Sequence, residues 1–406
     1  MSGAAALETL ARPERRSRLL AWLAAKLGDV QTAEDALAEA FARAVPAWRD
    51  GTPDSPEGWL LKVAWRVAID DARRAGTRAR TRDALAVLAP TSAAAATPET
   101  PLPDKRLELL FVCAHPAIDP SVRVPLMLQV VAGVEASRVA ALYLSSPSAM
   151  AQRLVRAKRK IADAGIPFER PPAAELASRA ASVLDAIYAV FTLGRTSAAP
   201  GEASAGALRE EACWLAGLVA ELLPESAEAK GLLALVLHVT ARDDAAAETY
   251  VPLDERDVAR WDRRAIERAE RLLHEAAALG APGRYQIEAA IQSAHCGRLF
   301  AGRVDRAAIV RLYDALIALA PSVGAVVARA AAIASAGEPE RARRALAALD
   351  ERRVADYQPY WAARAFAAAA SGRTAEARDA YRRAAGLAND PAVRDYLLAR
   401  REALPG

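Results

Sequence analysis

Cysteine, histidine and aromatic residues are all scarce in this sequence. The 406 residues include three cysteines, four histidines and only 5% aromatic side chains. Cys113, Cys213 and Cys296 are odd in number and far apart, which excludes a disulfide framework. Neither a CxxC nor an HExxH spacing is present, so we predict no metal site and no cofactor. A glycine-rich phosphate loop and a nucleophile elbow are also missing, which argues against an enzyme.

Long apolar runs and export signals are missing as well. The longest apolar stretch, residues 231–239, falls well short of the roughly 18 residues that span a membrane. Residues 1–10 lack the basic and apolar regions of a signal peptide. Together with the few cysteines, these absences predict a cytoplasmic protein that makes no membrane contact.

The residues that are abundant favour helices. Hydrophobic residues make up 53%, alanine is over-used, and alternating runs of Val, Ile, Thr and Tyr are absent, so we predict an all-α fold. Changes in composition then divide the chain into parts. We predict a small helical domain over residues 1–88, a Pro/Ala/Thr-rich linker over 89–103, a second small helical domain over 104–170, and a larger helical domain over 171–406.

Positive charge is concentrated in the N-terminal part. Residues 1–170 carry a net charge of +5, whereas the remainder carries −1. Two clusters account for most of the excess: Arg66, Arg73, Arg74, Arg78, Arg80 and Arg82 form the first, and Arg153, Arg156, Lys158, Arg159 and Lys160 form the second. Such clusters are typical of proteins that bind the phosphate backbone of nucleic acids. Solvated helix faces are the alternative interpretation.

The first cluster begins on a helix that is predicted to start at Ser55 and Pro56 and to stop at Gly76. Leu60, Val63, Ala64, Val67 and Ala68 form its apolar arc, and Lys62, Trp65, Arg66, Ile69 and Arg73 form the opposite one. An aromatic ring set among cations suits stacking on unpaired bases while guanidinium groups hold phosphates. The alternative is that Trp65 packs on a neighbouring helix.

Upstream of this helix, apolar residues recur every three or four positions. The stripe consists of Ala33, Leu37, Ala40, Phe41, Ala44, Val45 and Trp48. It predicts an amphipathic helix with Asp35 and Glu39 on the opposite, solvent-facing side.

The second domain has the pattern of a helix-turn-helix. One helix is predicted from Asp119 and Pro120 to Ala132, a short one follows over 135–142, and after a tight connection Ser146 and Pro147 open a long helix. Met150, Leu154 and Ile161 are predicted to face inward. A generic helical hairpin is the alternative interpretation.

The long helix presents polar and basic residues outward. Ser148, Gln152 and Arg153 lie in its first turns, where Gln152 and Arg153 could read adenine and guanine edges in the major groove. Arg156, Lys158, Arg159 and Lys160 follow, and we expect them to contact phosphates.

The C-terminal domain contains an internal repeat. Aligning Gly337 with Gly372 also aligns Ala342 with Ala377, a period of 35 residues close to that of the tetratricopeptide helix pair. The repeat predicts an α-solenoid-like domain, which more often serves protein contacts than catalysis.

Three stretches of the chain together resemble an extracytoplasmic-function (ECF) sigma factor of the sigma-70 family, the initiation subunit of bacterial RNA polymerase. Residues 33–48 (AEDALAEAFARAVPAW) resemble the helix that docks on core polymerase, and residues 59–74 (WLLKVAWRVAIDDARR) resemble the helix that captures and melts the minus-ten element. Residues 123–161, ending AMAQRLVRAKRKI, resemble the helix-turn-helix that reads the minus-thirty-five element. The stretches 106–118, 152–168 and 253–262 are similar to a subgroup with a long tetratricopeptide-like extension.

The resemblance implies two partners, core RNA polymerase and promoter DNA, and a role for each candidate residue. It implies that Asp35, Glu39 and Phe41 belong to the polymerase-docking helix, and that the extension modulates activity, through a regulatory protein or an intramolecular contact. Residues implied to contact DNA are Lys62, Trp65, Arg66, Ile69, Arg73, Arg74, Ser148, Gln152, Arg153, Arg156, Lys158, Arg159 and Lys160. An acidic loop of the extension, with Asp254, Glu255 and Asp257, is our candidate for a contact with the basic residues 153–160.

The sequence also departs from the family pattern. Trp65, Val67 and Asp71 stand where the family usually has basic residues, which predicts a weaker phosphate grip at the minus-ten element. Pro125 interrupts a helix that it is expected to bend, and residues 191–195 read FTLGR where the extension usually opens with FNEGY. A one-component helix-turn-helix regulator with a sensing solenoid is the alternative function, and it would need no polymerase-docking helix.

Overall fold

The computed structural model describes residues 2–74, 104–195, 205–243 and 249–405. Its described secondary structure is entirely helical, which confirms the all-α prediction. The chain divides into two compact units, the first comprising Met1–Gly194 and Pro200–Glu211 and the second Arg195–Ala199 and Ala212–Gly406. The predicted linker 89–103, the preceding residues 75–88 and most of the loop 195–206 lie outside the described residues.

The first unit begins with four helices: α1 (Gly3–Ala11), α2 (Pro13–Leu27), α3 (Val30–Ala47) and α4 (Pro56–Arg74). Their starts follow ordinary capping chemistry, since Asp29 accepts a hydrogen bond from the backbone N–H of Gln31 and proline occupies the first turn of α2 and α4. Leu23, Leu37 and Leu60 are fully buried between these helices.

The rest of the first unit consists of α5 (Arg106–Cys113), α6 (Pro120–Val130), α7 (Ala136–Leu142), α8 (Pro147–Asp163), α9 (Ala173–Leu193) and the first turns of α10 (Ala205–Leu222). Helices α7 and α8 occur where the helix-turn-helix is predicted. The hydroxyl of Ser146 accepts a hydrogen bond from the N–H of Ala149 (3.2 Å), as expected of an N-cap. Pro125 lies inside α6, which continues past it to Val130.

Helix α9 belongs to the first unit, although composition predicts it in the C-terminal domain. It packs on α5 and α6, and Arg179 donates a hydrogen bond to the carbonyl of Phe111 (3.3 Å). Residues 174–193 are long and apolar enough to cross a membrane by length and composition, but half of that window is buried inside the protein. The buried Val183, Leu184 and Ile187 make α9 a core helix of this unit.

The second unit begins within α10 and continues with one 3-10 helix and ten α-helices among the described residues. They are α11 (Ala227–Thr240), a 3-10 helix (Val258–Arg260), α12 (Arg263–Ala278), α13 (Arg284–Ala301), α14 (Arg306–Leu319), α15 (Val323–Ser335), α16 (Pro339–Ala347), α17 (Glu351–Val354), α18 (Gln358–Ala370), α19 (Thr374–Gly386) and α20 (Pro391–Glu402).

The predicted 35-residue period coincides with two successive helical hairpins, α15 with α16 and α18 with α19. Gly337 and Gly372 occupy the two turns with φ of +91° and +71°, a conformation that favours glycine. Ala342 and Ala377 are fully buried at equivalent positions. Small residues at these positions allow the paired helices to approach closely.

Candidate nucleic-acid interface

Helix α4 separates an apolar face from a cationic one. Leu60, Ala64, Val67 and Ala68 are buried as predicted, whereas Val63 is only half-buried and Leu61 takes a place in the core. On the opposite side Lys62, Arg66, Arg73 and Arg74 are exposed, and Trp65 and Ile69 are half-buried between them.

Two acidic residues lie beside the cations at the end of α4. Asp71 is exposed and pairs with Arg74 (3.1 Å), and Asp70 lies 3.8 Å from Arg73. Exposed pairs of this kind are worth little energy, so both guanidinium groups can exchange these partners for phosphate oxygens. The face therefore combines a half-buried indole ring with four exposed cations, which suits single-stranded nucleic acid.

Helix α3 presents the acidic residues implied to dock on polymerase. Asp35 accepts a hydrogen bond from the side chain of Gln31 (3.0 Å), and Glu39 pairs with Arg43 (2.7 Å), all at the surface. Phe41 is half-buried.

The predicted apolar stripe of α3 is wrong at Val45, which is 62% exposed. Ala44 and Trp48 on either side of it are buried as predicted, and Pro46 lies in the last turn of the helix. The rings of Trp48 and Trp59 meet edge to face with centroids 5.4 Å apart. This contact packs the end of α3 against the start of α4.

The first turns of α8 carry the candidate base-reading residues. Ser148 and Gln152 are exposed, while Met150 and Leu154 are buried as predicted. Arg153 is half-buried, and its guanidinium donates hydrogen bonds to the backbone carbonyl (3.1 Å) and the hydroxyl (2.8 Å) of Ser121. To contact a base, Arg153 must give up these bonds.

Further along α8, Arg156, Arg159 and Lys160 are exposed, but Lys158 departs from the prediction. Lys158 is only 3% exposed and forms an ion pair with Glu34 of α3. The physical reason is helical phase, because Lys158 follows the buried Leu154 by four residues and precedes the buried Ile161 by three. In this arrangement Lys158 is not available to a phosphate.

The acidic loop also has partners other than those expected. Asp254 pairs with Arg306 (2.8 Å) in the second unit, and the carboxylate of Asp257 accepts a hydrogen bond from the N–H of Ala259 (2.9 Å) as the cap of the 3-10 helix. Lys158, one of the proposed partners, is paired with Glu34. The predicted contact between the loop and residues 153–160 would therefore have to displace the partners that Asp254, Asp257 and Lys158 already have.

Sequence reasoning missed a second buried ion pair in the first unit. Arg106, 7% exposed, donates to Glu211 at the start of α10 (2.5 Å), to Asp104 (2.7 Å) and to the backbone carbonyl of Glu14 in α2 (3.5 Å). Burial raises the pKa of the Glu211 carboxyl to about 7, despite the attraction of Arg106. No local pattern could have revealed this pair, because its members lie 105 residues apart.

Among the described residues, no group of three or more His, Cys, Asp or Glu side chains could hold a metal ion. Cys113 is fully buried, and burial raises the pKa of its thiol well above the ordinary value, so it is not a reactive nucleophile.

Comparison with known proteins identifies two parts of the chain. A model of sigma-70 region 2 matches residues 14–78, and a family of unknown function (DUF6596) matches residues 179–277. The protein of Rhizobium meliloti (strain 1021) named "Uncharacterized protein R00370" is 34% identical over 396 residues, which cover 95% of this chain and 92% of that protein. The chain belongs to the family of this Rhizobium protein.

The region 2 match also supports a place in the sigma-70 family. Two Mycobacterium tuberculosis proteins (strains CDC 1551 / Oshkosh and ATCC 25618 / H37Rv), each named "Probable ECF RNA polymerase sigma factor SigI", are 31% identical over 152 residues. The match covers 36% of this chain and about half, 51%, of each relative. No solved structure matches.

The sigma-70 region 2 match falls on α2, α3 and α4. Both the cationic face of α4 and the exposed carboxylates of α3 therefore lie inside it. These findings suggest a sigma factor, which is a non-enzymatic initiation factor.

Proposed function

We propose that the chain is an RNA polymerase sigma factor of the ECF type, which binds core polymerase in the cytoplasm and directs promoter recognition and initiation. The observation that carries the proposal is the face of α4, where the half-buried Trp65 lies among exposed cations inside the sigma-70 region 2 match. Transcription initiation requires a protein that binds separated DNA strands. An aromatic ring that stacks on bases, with cations beside it that bind phosphates, is suited to single strands.

In this proposal each face of the first unit has one task. Trp65 and Ile69 stack on minus-ten bases while Lys62, Arg66, Arg73 and Arg74 hold the phosphates. Asp35, Glu39 and Phe41 belong to the surface that docks on core polymerase. Both carboxylates are exposed, so a partner can reach them.

The helix α8 reads duplex DNA at the minus-thirty-five element. Ser148, Gln152 and Arg153 face the major groove, and Arg156, Arg159 and Lys160 contact phosphates, which give affinity without sequence information. The helices of the second unit form a tetratricopeptide-like extension that modulates activity.

The proposal is tested by in vitro transcription with purified bacterial core polymerase on a library of promoters from the protein's own genome. We expect initiation at sites that share a two-element motif. Trp65→Ala should lower transcription about five- to 150-fold, because one stacked base is worth about 1–3 kcal/mol, while its affinity for core polymerase stays unchanged. Arg311→Ala, an exposed arginine of α14, is the matched control and should leave both quantities unchanged.

Two results would contradict the proposal. If the purified chain did not bind core polymerase and gave no transcripts, yet bound duplex DNA by itself, the one-component regulator would replace the sigma factor. If Trp65→Ala transcribed as well as the unmodified chain, the stacking role of α4 would be wrong.

A further inference from the structure

Three arginines of the second unit meet around one tryptophan. The guanidinium carbons of Arg242 and Arg298 lie 5.9 Å and 5.7 Å from the centre of the Trp261 ring. Arg256 reaches the same place, because its guanidinium donates a hydrogen bond to the backbone carbonyl of Arg242 (3.1 Å). We call Arg242, Arg256 and Arg298 the arginine cluster. Trp261 is buried, Arg242 is only 4% exposed, and the other two arginines are half-buried.

The hydrogen-bond acceptors of the arginine cluster are neutral groups. They are backbone carbonyls and one amide oxygen: Arg242 donates to His238 (2.8 Å) and to the side chain of Gln292 (2.5 Å), Arg256 to Val251 (3.0 Å) and Arg242, and Arg298 to Leu253 (2.8 Å). Within the part of the chain that the structure describes, none of the three arginines forms an ion pair with a carboxylate.

The acidic side chains on the neighbouring elements have other partners. Glu270 of α12 lies 3.4 Å from Nε2 of His238. Asp254 pairs with Arg306 (2.8 Å), and Asp257 caps the 3-10 helix. The arginine cluster therefore brings three positive charges together without a paired negative charge among the described residues.

Such burial of positive charge is unfavourable unless a counter-charge is present. Burial lowers the pKa of Arg242, and the nearby charges of Arg256 and Arg195 lower it further. Two buried donors also have no acceptor among the described residues, namely Nη1 of Arg242 and Nε1 of Trp261. A buried donor without an acceptor costs free energy, so an anion bound here would supply both the missing charge and the missing acceptor.

We propose that the arginine cluster and the indole N–H of Trp261 form a binding site for a small oxyanion, a carboxylate or a phosphate group. The planar guanidinium presents two parallel N–H groups that match two oxygens of either group. The indole nitrogen donates one more hydrogen bond. The site lies in the second unit, and its existence does not depend on the function proposed for the chain in transcription.

Part of the site must move before an oxyanion can enter, because both unpaired nitrogens are buried. Residues 250–262 are held to α13 and α14 by the hydrogen bond from Arg298 to the carbonyl of Leu253 and by the Asp254–Arg306 pair. The side chains of that pair are 43% and 40% exposed, and exposed ion pairs contribute little stability. An oxyanion that binds Arg298 therefore has only one neutral carbonyl to displace from it.

Binding can be followed at Trp261 itself, in the full chain and without polymerase or DNA. The protein contains seven tryptophans, and isotopic labelling of their indole nitrogens gives one NMR signal for each. Trp261→Phe keeps an aromatic ring and identifies the Trp261 signal by its loss. The probes are inorganic phosphate and succinate, added separately in a buffer whose only anion is chloride. We expect the Trp261 signal to shift downfield and to saturate with a Kd of about 1 mM or tighter.

Removal of one guanidinium should weaken this binding. Arg298→Gln keeps a donor for the carbonyl of Leu253 but lacks the charge, and we expect the Kd to rise at least about tenfold. Arg256→Gln should act in the same direction, so the test does not depend on the folding of a single variant. The matched control is Arg311→Gln, which changes an exposed arginine of α14 and should leave the Kd unchanged.

Two results would overturn the site. One is the absence of a saturable shift of the Trp261 signal with both probes. The other is an equal Kd in the unmodified chain, in Arg298→Gln and in Arg256→Gln, because the anion would then bind elsewhere. A response to phosphate alone or to succinate alone supports the site and identifies the class of its ligand. Since neither polymerase nor DNA is present, a failure of the sigma proposal would leave the outcome unaffected.

Discussion

At the residue scale, the five cations of α8 show that charge type alone does not determine a role. Arg156, Arg159 and Lys160 point to solvent, Arg153 is bonded to Ser121, and Lys158 is buried against Glu34. Their positions around the helix decide among these outcomes, because the buried stripe through Leu154 and Ile161 includes position 158. Counting cations along the sequence would therefore overstate the number that the structure leaves exposed for DNA.

Leu144 is a second residue whose position matters more than its type. It lies in the turn between α7 and α8 with φ of +48°, and its side chain is 98% exposed. The left-handed conformation costs an L-residue about 1–2 kcal/mol, and exposure offers no packing in return. Leu144→Gly should raise the free energy of unfolding by about 0.5–1 kcal/mol, because the relief of strain exceeds the added chain entropy of glycine.

The change in the free energy of unfolding is measured by urea unfolding of the full chain, with a signal that reports on the first unit. Leu144→Ala is the control, since it removes the exposed side chain but keeps the Cβ that causes the strain. If the alanine variant gained as much stability as the glycine variant, backbone strain at this turn would not be the cause.

At the scale of helices, the sequence predicted the elements of the first unit well because their signals are local. Ser146 caps α8, Asp119 caps α6, and Gly133 follows α6 with a positive φ of 67°. The division of α4 into faces followed from helical periodicity alone. It was wrong for Val63, which is half-buried, and it left out Leu61, which is buried.

What the sequence could not predict depends on contacts between distant positions. Lys158 and Glu34 lie 124 residues apart, and Arg106 and Glu211 lie 105 apart. The packing of α9 in the first unit is of the same kind, since composition after residue 171 gives no sign of its partner helices. The sequence therefore predicted the helices on which the candidate residues lie, but not the side chains that contact them.

A close helix contact in the second unit depends on a glycine. A Cβ on Gly231 of α11 would lie 2.5 Å from the backbone N and 2.7 Å from the Cα of Gln286 in α13. This approach lets Glu228 accept hydrogen bonds from the backbone N–H groups of Tyr285 and Gln286, both at 3.1 Å. The carboxylate thus caps the start of α13 from a neighbouring helix.

Gly231→Ala should lower the free energy of unfolding by about 1–3 kcal/mol, because backbone atoms must move apart to admit the methyl group. Gly217→Ala in α10 is the matched control. Its Cβ would meet nothing within 4 Å, so alanine should stabilise the helix by about 0.5–1 kcal/mol. Thermal unfolding of both variants measures the difference, and equal shifts would show that the α11–α13 contact is not tight.

At the scale of the whole molecule, the two units have different buried chemistry. The first contains ion pairs, whereas the second contains a polar cluster around His238, Arg242 and Cys296. The Sγ of Cys296 lies 3.5 Å from Nδ1 of His238, and Arg242 donates to the His238 carbonyl (2.8 Å) and to Gln292 (2.5 Å). The Rhizobium relative matches 95% of this chain, so both units belong to the same family architecture.

This cluster makes the stability of the second unit depend on pH. Burial and the nearby Arg242 lower the pKa of His238 to about 3 and that of His295 to about 4, against an ordinary value near 6.5. Between these values the unfolded chain binds more protons than the folded one. The stabilisation is therefore complete above about pH 6.5 and is lost as the pH falls, by up to about 1.4 kcal/mol per pH unit for each imidazole.

Urea unfolding of the full chain at pH 7, 6 and 5 measures the slope of stability against pH in the second unit. His238→Gln removes one titrating group, so its slope between pH 6 and pH 5 should be shallower than that of the unmodified chain, whatever its stability at pH 7. His274→Gln, which changes an exposed histidine of α12, is the control for the loss of an imidazole outside the cluster. Equal slopes in the unmodified chain and in His238→Gln would mean that a proton reaches His238 without unfolding, and that the cluster opens locally.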